Sequence, residues 1–429
     1  MSTVGVISLG CAKNRVDTER MLAYLADAGH IIVSDPSEAE VLIVNTCGFI
    51  ESAKQESIDT ILEMAQYKKH GVCEKLVMTG CLSQRYRTEL KEALPEVDLM
   101  LGTGEYALLP DLLKGAEKPG CAPDAGRVLT TPSYSAFLRI GDGCNNRCTY
   151  CAIPLIRGPL TSDPIEKLVS EARALAANGV TELTVIAQDT SGYGRDLYGK
   201  PQLIELLGEL EKIDPLKWIR VLYTYPDTVT EELIDAFRGN EKIVNYLDMP
   251  LQHINDDILR RMNRRGSKRH IEKVLDYLRN TGDDFTLRTT MMLGFPGETD
   301  EQFEELLQFL REHPFDRVGA FTFSPEEGTK AAEMPDQVPE EVKQERLERL
   351  MLQQQEISKQ RNEARIGTVT EVLIEGTDED GLFGRTRAEA PDDVDGLVRM
   401  PYAKAKAGEY RKVRLTGATE YDMMGELVE

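Results

Sequence analysis

Residues 141–154 read GDGCNNRCTYCAIP, and the three cysteines within eight positions, Cys144, Cys148 and Cys151, decide how the rest of the chain is read. A structural zinc site closes on four ligands. No histidine or cysteine follows within the next hundred residues, the first being His253. Three thiolates can instead bind three irons of a cubic iron–sulfur cluster and leave the fourth iron open. The flanking Asn145, Asn146 and Arg147 make this a polar loop, unlike a core where cysteines merely pack. An open iron–sulfur site is therefore expected on Cys144, Cys148 and Cys151.

The loop follows the apolar run AFLRI, and five more such runs come after it: ELTVIAQD, WIRVLYT, IVNYLDMP, FTLRTTMMLGF and RVGAFTFSP. Helical stretches separate them, so residues 134–335 predict an incomplete six-stranded β/α barrel. Asp163 reads as the N-cap of the helix after the loop, with Pro164 at its first position, Glu166 closing a capping box and Gly179 as its stop. Thr299 and Gln302 form a second capping box. Barrel chemistry gathers at strand ends, which singles out Gln188, Asp189, Thr190 and Tyr193 in AQDTSGYG, and Gln252 and His253 in DMPLQH.

Upstream, residues 1–115 alternate β-rich runs (VGVISL, VLIVNT, KLVMTG, VDLML) with amphipathic helices, the pattern of a doubly wound parallel sheet. Cys11, Cys47 and Cys81 each lie just past the end of one of these runs, so they share the sheet edge where open α/β sheets bind ligands. The same local context three times over points to a second three-thiolate set, although cysteines at strand ends also serve in packing. Cys73 precedes its strand and Cys121 falls in the Gly/Pro-rich linker of residues 116–133, so both read as spectators. Downstream, residues 336–365 read as one long exposed bridging helix. Short strands broken by Gly and Asp over 366–429 predict a small antiparallel β-barrel.

The chain has 429 residues, long enough for two or three domains. No apolar run approaches the roughly 20 residues of a membrane span. Its start, MSTVGVISLGC, has no export signal, so a cytoplasmic location is expected, and the cysteine count points to metal or redox chemistry in place of a disulfide framework. The net charge of −22, from 51 basic and 73 acidic residues, opposes a phosphate backbone at long range. The run Arg260, Arg261, Arg264, Arg265, Lys268 and Arg269 reads as a solvated helix face, His30, His70, His270 and His313 as surface residues, and Trp218 as packing.

GDGCNNRCTYCAIP, with Tyr150 before the third cysteine, resembles the cluster loop of the radical S-adenosylmethionine superfamily. That resemblance implies that S-adenosylmethionine chelates the open iron and is cleaved there to methionine and a 5′-deoxyadenosyl radical. LGFPGET (Gly294, Gly297, Glu298) resembles the turn that lies against the cofactor's adenosine. Tyr150, Gln188, Gln252, Gly294 and Gly297 are accordingly expected near S-adenosylmethionine, with no catalytic residue beyond the cluster ligands. LGCAKN, NTCGF and TGCLSQ resemble the amino-terminal domain of the methylthiotransferases, which implies an auxiliary 4Fe-4S cluster on Cys11, Cys47 and Cys81. The carboxyl-terminal segment resembles a TRAM domain.

Two branches of that family compete. One modifies adenosine in transfer RNA, the other an aspartate β-carbon of ribosomal protein S-twelve, with sulfur passing through the auxiliary cluster and the methyl group coming from a second S-adenosylmethionine. YLDMPLQHIND, DLMLGTGEY and SPEEGTKAA resemble the ribosomal-protein branch. From 364 to 429 there are nine basic against fourteen acidic residues, an excess of five acids, so a basic protein partner suits this tail better than RNA. A reducing electron donor is a further expected partner. Transfer-RNA methylthiolation and simple iron–sulfur electron transfer remain open at this point.

Overall fold

A computed structural model describes residues 1–428 other than 122–124, 283 and 393. The chain forms two compact units: Met1–Pro132, Phe137–Thr161 and Glu326–Ala332 make the first, and Ser133–Ala136, Ser162–Pro325 and Glu333–Glu429 the second. Among the described residues no helix is long and apolar enough to cross a membrane.

The first unit is built on five parallel strands, β1 (Thr3–Ser8), β2 (Ile31–Val33), β3 (Val41–Thr46), β4 (Lys75–Gly80) and β5 (Leu99–Met100), in the order β2-β1-β3-β4-β5. The central strand VLIVNT is buried along its whole length, as parallel strands covered on both faces are. One face packs Leu42, Val44, Leu76 and Met78 against Ile61 and Met64 of helix α2 (Glu51–His70). The other packs Val4, Ile43 and Val77 against Met21 and Leu25 of helix α1 (Ala12–Asp27). Edge strand β2 was not expected, because three residues after a glycine turn carry too little periodicity to register as a strand. Helix α3 (Cys81–Ala93) leaves β4 directly.

All six expected strands of the central region form: Ser135–Arg139, Glu182–Ile186, Trp218–Val221, Tyr246–Asp248, Thr286–Leu293 and Arg317–Thr322. The first three and the last three make separate three-stranded sheets, linked by a parallel bridge between Ile219 and Ile243. This interrupted, unclosed parallel array is the incomplete barrel. Thr299 caps helix Asp300–Glu312 through a full capping box with Gln302, as expected. The box expected at Asp163 does not form. Helix Ile165–Ala177 starts one residue later with Pro164 as its N-cap and no side-chain cap, because Asp163 pairs with Lys167 at 2.8 Å.

Helix Glu340–Glu363 is less exposed than its charge suggested, for it buries a polar stripe. Lys343 donates to the Phe323 carbonyl (2.9 Å), Gln354 to the Phe315 carbonyl (3.0 Å) and Ser358 to the Asp316 carbonyl (3.0 Å). A sequence pattern marks burial by apolar residues and misses a helix docked through hydrogen bonds.

The carboxyl-terminal strands, Val369–Asp378 through Met423–Leu427, close into a five-stranded barrel. Its pairs are antiparallel except Val398–Met400 with Met423–Leu427, which run parallel. The barrel is anchored by buried ions. Arg385 grips Glu182 of the central region with both terminal nitrogens, at 3.1 and 2.6 Å. Glu389 accepts from Arg365 (2.6 Å) and from the Thr386 amide (2.9 Å), with Arg317 at 3.5 Å. Burial opposes the charged carboxylate, but Arg365 and Arg317 hold its pKa down to about 2.

Glu389→Gln is expected to cost about 3–5 kcal/mol, since it leaves buried Arg317 and half-buried Arg365 without their counter-charge. A carboxyl depressed on folding stabilises above its unfolded pKa of about 4.3, and that contribution is lost as pH falls through the folded value. Thermal unfolding should therefore show the native chain losing more stability than Glu389→Gln between pH 5 and pH 3. Equal losses would remove this role.

Candidate metal centre

Sequence order hid that β1, β3 and β4 are immediate neighbours, so Cys11, Cys47 and Cys81 leave three adjacent strand ends. Cys11 is the N-cap of α1, Cys47 follows β3, and Cys81 opens α3. The glycines beside them let the three loops close up. A Cβ on Gly10 would stand 2.9 Å from Cys47 Cβ and 3.1 Å from its Sγ, and one on Gly48 would stand 2.8 Å from the Leu82 amide nitrogen. Ser57 of α2, missed from sequence, fixes the middle loop: its hydroxyl accepts from the Cys47 amide (3.0 Å) and donates to the Cys47 carbonyl (2.9 Å).

The trio runs from exposed Cys11 through half-buried Cys47 to buried Cys81. Burial pushes the Cys47 thiol up, and nearby Cys11 adds to the effect. Burial raises Cys81 further, to about 11, against the pull of Arg157.

Gly80 has φ +96°, a backbone almost reserved to glycine, and a Cβ there would fall 2.3 Å from Asn45 Oδ1 and 2.5 Å from the Thr46 carbonyl. Gly80→Ala should therefore destabilise the chain by about 1–3 kcal/mol and displace Cys81. Thermal unfolding of the metal-free chain, with iron content after reconstitution, checks this. Unchanged stability and iron would contradict it.

Cys144, Cys148 and Cys151 lie in the same compact unit as the trio, all half-buried. Gly143 makes their turn at φ +70°, where a Cβ would meet the Pro159 carbonyl at 2.1 Å. The Gly158 carbonyl accepts from the Cys144 amide (3.2 Å), the Cys148 carbonyl from the Cys151 amide (3.1 Å), and the Cys144 sulfur from the Asn146 amide (3.5 Å). An amide aimed at sulfur suits a thiolate ligand. Cys81 packs against Ala152 and Ile156, just beyond this loop. Among the described residues no three His, Cys, Asp or Glu side chains are arranged to hold a single metal ion. A set of three thiolates can meet three irons of a cubic cluster one by one, whereas structural zinc closes on four ligands, so these all-sulfur donor sets fit an iron–sulfur cluster better than zinc.

The other expected residues divide between the units. Half-buried Tyr150 stays in the cysteine loop of the first unit. In the second, Gln188 follows Glu182–Ile186, and Gln252 continues the strand line at φ +69°, its amide donating to the Thr290 carbonyl (2.8 Å). Gln252 Oε1 is buried and without a hydrogen-bond partner among the described residues. The glycines of LGFPGET have close neighbours in the chain itself: a Cβ on Gly294 would meet Lys343 Cγ at 2.2 Å, and one on Gly297 would meet Arg261 Nη1.

Asp189 spends its carboxylate on Ser191 and Gly192, Thr190 donates to the Leu222 carbonyl, and Tyr193 donates to the Asp163 carbonyl, so these three build the turn. His253 is buried with Nε2 3.8 Å from Glu298, and burial depresses its pKa to about 3 and raises that of Glu298 to about 7. The solvated basic face also needs correction. Arg264 is buried, donating to the Pro250 carbonyl (2.6 Å) and lying 4.4 Å from the Tyr225 ring centre, because a long aliphatic stem can bury while its head finds a carbonyl. His270, expected at the surface, meets the Pro226 carbonyl at 3.1 Å. Trp218 packs edge-on against Tyr410, as expected.

Residues 3–102 match an uncharacterised protein family, UPF0004, residues 138–310 the radical SAM superfamily, and residues 366–428 the TRAM domain. A protein of Thermoanaerobacter sp. (strain X514) named ribosomal protein uS12 methylthiotransferase RimO is 48% identical over 438 residues, covering 99% of this chain and 100% of that one. The chain belongs to the RimO family. A RimO of Geotalea uraniireducens (strain Rf4) is 46% identical over 442 residues, covering 99% of this chain and 98% of its own. Among solved structures, the radical S-adenosylmethionine methyltransferase TsrM from Kitasatospora setae superposes with a TM-score of 0.57 at 15% identity, over 77% of this chain and 76% of that one. At that identity the likeness shows the fold this RimO-family chain shares, and nothing of its substrate.

Proposed function

We propose that this chain is a radical S-adenosylmethionine methylthiotransferase that places a methylthio group on the β-carbon of an aspartate in ribosomal protein uS12. Its similarity over 99% of its length to a protein named ribosomal protein uS12 methylthiotransferase carries the choice of uS12 and of the methylthio group. The presence of two three-cysteine sets in one compact unit supports it. Cys144, Cys148 and Cys151 would hold one 4Fe-4S cluster with an iron left for S-adenosylmethionine, and Cys11, Cys47 and Cys81 would hold a second. When bound, these groups supply a hydrogen-abstracting radical, a transferable sulfur and, from a second S-adenosylmethionine, the methyl group.

The chain's own residues do the positioning. Gly10, Gly48 and Gly80 let the three strand-end loops approach, Ser57 fixes the middle one, and the Asn146 amide donates to the Cys144 sulfur. Tyr150, Gln188, Gln252, Gly294 and Gly297 are the residues proposed to approach S-adenosylmethionine, with Gln252 Oε1 offering an unsatisfied acceptor.

The carboxyl-terminal segment, with nine basic against fourteen acidic residues from 364 to 429, suits a basic protein partner better than RNA. Of the nine basic residues from 364 to 429, Arg365, Arg385, Arg387 and Arg399 are committed to Glu389, Glu182, the Glu241 carbonyl and Asp378 respectively, while Lys404, Lys406, Arg411, Lys412 and Arg414 are exposed, as are Glu371, Glu379 and Asp380. A cytoplasmic setting and a low-potential reductant complete the proposal. Mass spectrometry of uS12 and bulk transfer RNA from cells with and without the gene tests it. The methylthio mass should vanish from uS12 alone, and a loss confined to transfer RNA would reject it in favour of the RNA branch.

A further inference from the structure

Arg157 lies six residues past Cys151, and its side chain is 2% exposed. Burying a guanidinium costs several kcal/mol unless its donors are met. One terminal nitrogen is met by carboxylates: Nη1 donates to Asp142 Oδ2 at 3.0 Å and lies 2.7 Å from Asp17 Oδ2, an ion pair without linear hydrogen-bond geometry. The other nitrogen turns away from them. Nη2 donates to Asn14 Oδ1 (3.3 Å) and to the Cys81 sulfur (3.5 Å).

Both ends of this arrangement are braced. Asp17 is shared with Arg139, which also reaches the Tyr106 hydroxyl at 3.4 Å. Asn14 ties the loops before Cys11 and Cys47, donating to the Leu9 carbonyl (2.7 Å) and lying 3.3 Å from the Asn45 and Thr46 carbonyls. Asp142 stands two residues before Cys144. The two arginines and two aspartates already balance in charge, so a Cys81 thiolate adds the anion that Nη2 faces.

We propose that Arg157 is a positioning residue for sulfur transfer: one nitrogen of its guanidinium donates to the Cys81 sulfur while the other holds Asp142 beside the radical-loop cysteines, which braces the two cysteine sets together and raises the reduction potential of a cluster on Cys11, Cys47 and Cys81. Hydrogen bonds and positive charge at the sulfurs stabilise the reduced, more negative state of such a cluster. Lysine cannot replace the fork, since a single ammonium does not present two divergent nitrogens. The proposal rests on the two-cluster reading above.

The test uses the full chain carrying Cys144→Ala, Cys148→Ala and Cys151→Ala, reconstituted anaerobically so that only the second cluster forms. Its midpoint potential is followed by electron paramagnetic resonance with Arg157 native, Arg157→Gln and Arg157→Lys. The potential should shift negative in Arg157→Gln and by a smaller amount in Arg157→Lys. If Arg157→Gln binds no cluster, Arg157→Lys alone decides by the same shift. An unchanged potential in the variants that load would overturn the role of Arg157. No cluster even with native Arg157 would instead overturn the two-cluster reading on which the role depends.

Discussion

Alanine at Cys144, Cys148 or Cys151 is expected to abolish both cleavage of S-adenosylmethionine and methylthiolation, each falling at least about a thousandfold, to the detection limit. The three thiols supply the only cysteines of the radical loop, and a cluster held by two would lose both its anchoring and its defined open iron. Removing any one should therefore cost as much as removing all, as expected for residues that act as a unit. Chromatographic assay of 5′-deoxyadenosine after anaerobic reconstitution and dithionite reduction reads the first loss directly. Full cleavage by Cys148→Ala would contradict the assignment. The variants should still carry iron on the other trio.

Alanine at Cys11, Cys47 or Cys81 should separate the two activities. Methylthio product is expected to fall steeply in all three, to the detection limit for Cys81→Ala, while S-adenosylmethionine cleavage continues, because the radical-loop cysteines are unchanged. The effect should be largest for Cys81, whose burial leaves no route for water or an exogenous thiol to replace it, and smallest for exposed Cys11. Measuring 5′-deoxyadenosine and methylthiolated uS12 in the same reaction separates the two outcomes. Full product formation by Cys81→Ala would exclude a sulfur-delivering role for the trio.

These expectations were legible in sequence because cysteines at strand ends and in C-x3-C-x2-C spacing carry their chemistry in their type and position. The strands were legible for a related reason: buried parallel strands such as VLIVNT and ELTVI are apolar throughout. What sequence did not carry was lateral order. That β1, β3 and β4 are neighbours is a property of the sheet, and only it explains how cysteines some 35 residues apart come to adjacent loops.

Polar packing was equally hidden. Arg157, Asn14 and Ser57 read as ordinary loop and helix residues until their partners, distant in sequence, are seen. The helix Glu340–Glu363 illustrates the same limit, since Lys343, Gln354 and Ser358 are buried by carbonyl acceptors, which leave no trace in a hydropathy pattern. The glycines of LGFPGET show the same limit, for they lie against Lys343 and Arg261, neighbours that a local motif does not reveal.

One compact unit is proposed to carry two separate three-cysteine cluster sites. Iron quantification with Mössbauer spectroscopy on the anaerobically reconstituted full chain tests it most directly, comparing the native protein, the Cys11/Cys47/Cys81 triple alanine variant and the Cys144/Cys148/Cys151 triple alanine variant. Two 4Fe-4S clusters per native chain and one in each variant is the predicted result. A single cluster in the native chain, or a triple variant that keeps the full native iron, would contradict it.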